Sequence, residues 1–319
     1  VALIGAPYDD DGASGSGSAY VFQKPPSGWA NMNETAKLTA SDASVDDLFG
    51  LAVALDGDLA LVGAHFDDDS GSESGSAYVF VRPLFGNWVN ATEDNKLTPS
   101  DASAGDNFGF SVSLSGSTAL IGARSSVTGA GSAYIFENPW AAVTETAKLS
   151  APMPTGGFFG RSVVLSGDIA LVGATDYDNI YSNSGAAFLF IKPFTGWETT
   201  TTPDAKLTAS DPASGDYLGG SVALSGDTAL VGAFGTDSGA GSVFTFVKPP
   251  GGWVDINENQ EITAVTAQPN QRFGTATAIE GDTAVIGAFL DDEGGTDSGA
   301  AFVFTRSGDN WSEVAKLTA

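Results

Sequence analysis

Phe49-Gly50-Leu51-Ala52-Val53-Ala54-Leu55-Asp56-Gly57-Asp58-Leu59-Ala60-Leu61-Val62-Gly63-Ala64 is the stretch whose reading decides the fold. Two apolar runs flank Asp56-Gly57-Asp58, a tight turn of the kind that joins antiparallel strands. The first run alternates. The second, Leu59 to Ala64, is nearly continuous and reads as a strand buried on both faces. An acidic, Gly/Ser-rich loop follows, then a third strand, Gly75-Ser76-Ala77-Tyr78-Val79-Phe80. A proline-bearing loop leads to a fourth strand, predicted to contain Trp88 and to end near Lys96-Leu97-Thr98. Proline is tolerated there because loops and outer edges need fewer backbone donors.

This unit recurs. Leu61-Val62-Gly63-Ala64 is matched by Leu3-Ile4-Gly5-Ala6, Leu120-Ile121-Gly122-Ala123, Leu171-Val172-Gly173-Ala174, Leu230-Val231-Gly232-Ala233 and Val285-Ile286-Gly287-Ala288. The glycines lie 58, 59, 51, 59 and 55 residues apart, and each copy holds one of Trp29, Trp88, Trp140, Trp197, Trp253 and Trp311. No segment has a 3.6-residue apolar period. The expected fold is all-β: a β-propeller of four-stranded antiparallel blades, one sheet per repeat. A single domain over residues 1–319 is expected, with repeats at about 1–40, 41–99, 100–151, 152–209, 210–264 and 265–319. Small Gly and Ala residues suit a crowded centre. The repeated Trp, Phe and Gly residues are expected to pack between blades. Copy one begins at its second strand, so five first strands accompany six second strands. Six blades are favoured by parsimony, and seven would need a whole further blade. Val1 opens inside a strand-like run without methionine, which reads as a piece of a longer or processed polypeptide.

Phe-Gly opens the first strand at Phe49-Gly50, Phe108-Gly109, Phe159-Gly160 and Phe273-Gly274, with Leu218-Gly219 as a variant. Gly-Ala closes the second strand in all six copies, and Gly5-Ala6-Pro7 gives the full signature. The chain thus resembles the FG-GAP repeat of integrin α-subunit propellers and of bacterial and algal surface proteins, over essentially its whole length. The resemblance implies the fold, and an extracellular or cell-surface setting. Function follows less directly, because propellers host many roles. Integrin-type repeats often carry an Asp-rich calcium loop between the first two strands. Here that link is only Asp56-Gly57-Asp58 or its equivalents, too short to wrap a cation.

Composition narrows the partners. The chain has 319 residues, 42% of them hydrophobic, with 13 basic and 39 acidic side chains and a net charge of −26. Such a surface repels phosphate backbones and anionic lipid heads, so neither nucleic acid nor membrane insertion is expected. There is no cysteine, hence no disulfide or thiol chemistry. No apolar run is long enough to span a bilayer, and no signal peptide is visible.

The acids are grouped. Links between second and third strands carry Asp9, Asp10, Asp11, Asp67, Asp68, Asp69, Asp176, Asp178, Asp291 and Asp292. Clustered carboxylates among turn-forming glycines are what a hard cation such as calcium takes, so these ten are the candidate metal ligands. None has EF-hand spacing. Copy three has Arg124-Ser125-Ser126 instead. His65 is the one histidine, read as incidental. No catalytic set is present: no thiol, no histidine cluster, no nucleophile elbow. Asn33, Asn90 and Asn310 begin glycosylation sequons near the start of the fourth strand, where glycans need exposure. The expectation is a non-enzymatic extracellular structural or adhesive module presenting acidic loops to a protein partner or surface assembly. A calcium-dependent carbohydrate-binding module, with glycans as partners, is the alternative. A polysaccharide-acting enzyme is the third reading.

Overall fold

A computed structural model describes residues 1–10, 12–125, 129–153, 156–178 and 180–318. The chain is nearly all β. Six antiparallel sheets follow one another along the sequence, and their meander order gives the blades of a β-propeller. The first sheet has three strands, Ala2–Ala6, Ser18–Phe22 and Ala36–Leu38, as the missing first strand of copy one implies. The second has four: Ala52–Asp56, Leu59–Ala64, Ser76–Val81 and Asn95–Leu97. The later sheets repeat this order, and the fourth gains a short parallel strand, Ile256–Asn257, beside Ala205–Thr208. The one helical turn among the described residues, Thr236–Gly239, has left-handed φ at Asp237 and Ser238 and functions as a turn.

Contacts divide the chain into two compact units. One is Val1–Leu149 with Trp197–Thr199, and the other is Ser150–Gly196 with Thr200–Ala319. Within each unit, neighbouring sheets pack face to face. In the first unit, Ala60, Val62, Tyr78, Phe80 and Trp88 of the second sheet meet Ala19, Val21, Ala36 and Leu38 of the first. The opposite face of the second sheet, with Leu61, Ala77, Val79 and Leu97, meets Phe108, Ile121 and Phe136 of the third.

The repeated signature is explained at these junctions. A Cβ built on Gly63 would lie 2.0 Å from the carbonyl oxygen of Gly109, the glycine of the next Phe-Gly pair. Backbone therefore meets backbone, and no side chain fits. Phe108 itself is fully buried and edge-on to Tyr134 and Phe136. The first strand bulges between Phe108 and Ser111, with Gly109 at φ +86°, and the same shift recurs at Phe159/Ser162, Leu218/Ser221 and Phe273/Ala276.

Two expectations need correction. Trp88 is not in the fourth strand, which is only Asn95–Leu97; the tryptophan lies in the preceding loop and plugs the junction from there. In the last sheet alone does a long outer strand, Asn310–Thr318, contain the tryptophan. Nor do all six tryptophans pack. Trp88, Trp197, Trp253 and Trp311 are buried, but Trp29 is 52% and Trp140 39% exposed. Trp140 follows Phe136 by four residues, whereas the others follow their phenylalanine by seven or eight. It is out of register, and Ala142 takes the packing place.

Candidate functional site

The acidic loops meet a lysine that each sheet, except the fifth, places in its outer strand: Lys37, Lys96, Lys148, Lys206 and Lys316. In the second sheet, Asp67 is 3% exposed and accepts from Ser76 Oγ (3.1 Å), Tyr78 OH (2.7 Å), Lys96 Nζ (3.0 Å) and the Asp69 N–H (3.1 Å). Lys96 also reaches Asp42 at 2.6 Å and Asp69. In the first sheet Asp9 accepts from Ser18 Oγ (2.7 Å), Tyr20 OH (2.5 Å) and Lys37 Nζ (3.0 Å). In the sixth, Asp291 accepts from Lys316 Nζ (2.8 Å) and Gln271 Nε2, and Lys316 also binds Glu293. The third sheet lacks the loop acid. Asp101, from the link between sheets, takes its place, bound by Tyr134 OH (2.9 Å) and Lys148 Nζ (2.5 Å).

The titration behaviour follows from these partners. The Tyr20 and Ser18 hydroxyls, with Lys37, hold Asp9 down at about 2. Burial opposes ionisation of Asp67, Asp101 and Asp291, but the lysine and its companion donors outweigh it and each lies below the usual carboxylate range. Burial also opposes the charge on Lys96, and its three carboxylates more than restore it, raising the ammonium pKa. Burial, which outweighs the opposing Lys148 ammonium and is aided by the Asp101 charge, pushes Tyr134 up to about 12. Asp47, Asp106 and Asp216 go the other way. Burial raises them against single N–H donors from Ser44, Ser103 and Ala213.

The second acid of each loop has a separate task. Asp10, Asp68, Asp178 and Asp292 accept the N–H five residues on, from Gly15, Glu73, Asn183 and Asp297 at 2.7–2.8 Å. A short polar side chain bonding nearby backbone in this way closes a loop. Asp176 precedes the lysine-facing position, which Tyr177 holds beneath Lys206 at 5.6 Å. Asp11 and Ser126 lie outside the described residues.

Among the described residues, one group of three acids brings ligand atoms within 4.8 Å of one another: Asp42, Asp67 and Asp69. Their oxygens are hard donors suited to calcium. The Lys96 ammonium stands among them, however, so a metal would have to displace a charged side chain. Sequence reasoning missed Lys37, Lys96, Lys148, Lys316, Asp42 and Asp101 as members of these clusters. The signal was there: Ala-Lys-Leu or Asn-Lys-Leu recurs in five copies and becomes Gln260-Glu261-Ile262 in the fifth. In that sheet Thr236 and Phe244 replace the acid and the tyrosine. Asp211, Asp216, Asp237 and Glu261 there line a cleft of about 320 Å³.

His65 is buried, not loosely exposed. Its ring lies 4.0 Å from Phe66 and edge-on to Phe110, and burial, then the Arg124 charge, lowers its pKa to about 4. Its neutral ring is a packing element rather than a proton carrier at neutral pH. Asn33, Asn90 and Asn310 are all exposed. Asn90 Oδ1 accepts the Lys37 N–H at 2.8 Å, tying the second sheet's loop to the first sheet's outer strand. Asn310 is the first residue of its strand.

No helix among the described residues is long and apolar enough to cross a membrane. No curated protein matches the chain. The FG-GAP repeat family matches residues 32–80, 91–136, 143–190, 201–246 and 256–304. Each matched segment begins before the outer strand of one sheet and runs to the third strand of the next, so the sequence repeat straddles two sheets. Phe-Gly and Gly-Ala, which meet across these junctions, are the residues that define it, and with well over half its length matched, the chain belongs to the FG-GAP repeat family.

Proposed function

We propose that the chain is an extracellular structural or adhesive module that presents acidic loops to a basic protein surface. The family is one of adhesion-type and protein-interaction propellers. The observation that supports this reading is the lysine lock. In four sheets an ammonium and companion side-chain donors, hydroxyls in the first three and the Gln271 amide in the sixth, fix one loop carboxylate, while other acids such as Asp46, Glu73 and Asp297 stay exposed. Fixed loops bearing free charge bind with less ordering cost. Charge of this sign favours basic partners and speeds their encounter. Exposed sequons at Asn33 and Asn310 suit a secreted protein.

The test is attachment of beads coated with the 319-residue chain to amine-bearing and carboxylate-bearing surfaces at low and high salt. Selective attachment to amines, weakened by salt and by the joint change of Glu73 and Asp297 to Gln and Asn, is expected. Equal attachment to both surfaces would sink the reading. The carbohydrate alternative is favoured by the three converging carboxylates of Asp42, Asp67 and Asp69. It requires glycan-array binding that a chelator abolishes.

A further inference from the structure

A groove of about 400 Å³ opens between the second and third sheets, at the end away from the acidic loops. Asp56, Asp58, Leu59, Val81 and Trp140 line it. It exists because the third repeat departs from the others. In the second, fifth and sixth sheets the aspartate of the first turn pairs with a basic residue at or just past the end of the third strand: Asp58 with Arg82, Asp227 with Lys248, Asp282 with Arg306. The equivalent positions of the third sheet are Ser117 and Asn138, joined through the backbone. The loop after Phe136 is also shorter, which brings Trp140 in early and leaves its indole partly open.

The charges of the groove do not cancel. Arg82 holds Asp58, through Nε at 2.7 Å. Asp56 accepts only the Gly116 N–H, at 2.6 Å, and has no ion pair among the described residues. One carboxylate is thus left over beside an open indole and two aliphatic side chains.

We propose that this groove receives one basic side chain, arginine or lysine, from a partner protein. The cation would lie against Trp140, whose ring face attracts positive charge, and Asp56 would balance it. Leu59 and Val81 would cover the methylene stem. One unbalanced negative charge matches one positive side chain, and an anionic ligand would meet both this carboxylate and the net charge of −26. The site is independent of the acidic loops and stands or falls separately from the reading above.

The intact chain, carrying fluorotryptophan, tests this by fluorine NMR, with the Trp140 resonance assigned from Trp140→Phe. N-acetyl-arginine amide should shift that resonance saturably, while N-acetyl-glutamine amide and cellobiose at equal concentration should not. Asp56→Asn, which keeps an acceptor for Gly116, should weaken the arginine probe at least fivefold. Unshifted Trp88 and Trp197 resonances would show that the variant is folded. A response to cellobiose equal to that of arginine, no response to any probe, or undiminished binding by Asp56→Asn each overturns the proposal.

Discussion

His65 is 3% exposed and lies between Phe66 and Phe110, and its protonation is set by that surrounding. The unfolded chain takes up a proton below about pH 6.5, and the folded chain refuses it down to about 4. Stability from this residue therefore falls as pH drops through that window, by up to about 3 kcal/mol. Urea midpoints at pH 7 and 4.5 should differ more for the parent than for His65→Phe. Equal pH dependence in the two would refute the buried-neutral assignment. Lys96 gives a second residue-scale prediction. Lys96→Met leaves Asp42, Asp67 and Asp69 facing one another, and should cost about 2 kcal/mol, discounted for the partial exposure of Asp42 and Asp69. In that variant millimolar calcium should raise the melting temperature more than magnesium does. In the parent the two ions should act alike. A parent that responds to calcium as strongly as the variant would mean that the lysine does not occupy the ion's place. Neither role was fully legible in sequence, since the recurring Lys-Leu marks the position of Lys96 without naming its partners. A lone histidine after a strand carries no mark of burial, and a lysine at a strand end reads as a solvated edge until its Asp partners from other loops are placed.

At the scale of the strand, sequence and structure agree where burial imposes a pattern. Leu59–Ala64 is a strand over the residues that its apolar run marks, because both of its faces are covered. The Phe-Gly and Gly-Ala signatures were legible as repeats, and their meeting across sheets supplies the reason. Gly63→Val forces a side chain into the Gly109 carbonyl and should cost about 3 kcal/mol or more. Gly57→Asn is the control. Its φ is +58° in a tight turn and a Cβ there meets nothing within 4 Å, so the cost should be small. Thermal melts of both variants check the pair, and similar losses at both sites would show that the junction is not tight. The outer strands were poorly legible. Three residues, as in Asn95–Leu97, are too few to show alternation, so the tryptophan before them was absorbed into a strand that it does not join. Trp140 was misread for a related reason: counting one tryptophan per copy hides a register that is three residues early.

For the whole molecule, 39 acidic against 13 basic side chains leave a repulsion that the lysine clusters relieve only locally. Screening should help. The Debye length shrinks from about 30 Å at 0.01 M salt to about 3 Å at 1 M, so the melting temperature should rise with sodium chloride across that range. A flat profile would mean that local pairing already balances the charge. The same scale shows what the outer strands protect against. Five sheets have outer strands of three or four residues, and in the first that edge is met by the next copy: the Ala91 N–H donates to the Lys37 carbonyl and the Ala91 carbonyl accepts from the Thr39 N–H. The last sheet ends in nine residues, Asn310–Thr318, paired on one side with Ala300–Ser307 and on the other held at Trp311 by the Gln260 amide. A long strand with open backbone groups is a template for intermolecular pairing and fibre growth. A sugar on Asn310, at the first residue of that strand, would stand as a steric guard over it. Protein made without glycosylation should accordingly self-associate through this edge on storage, and a charged residue placed at Ser312 should reduce that association.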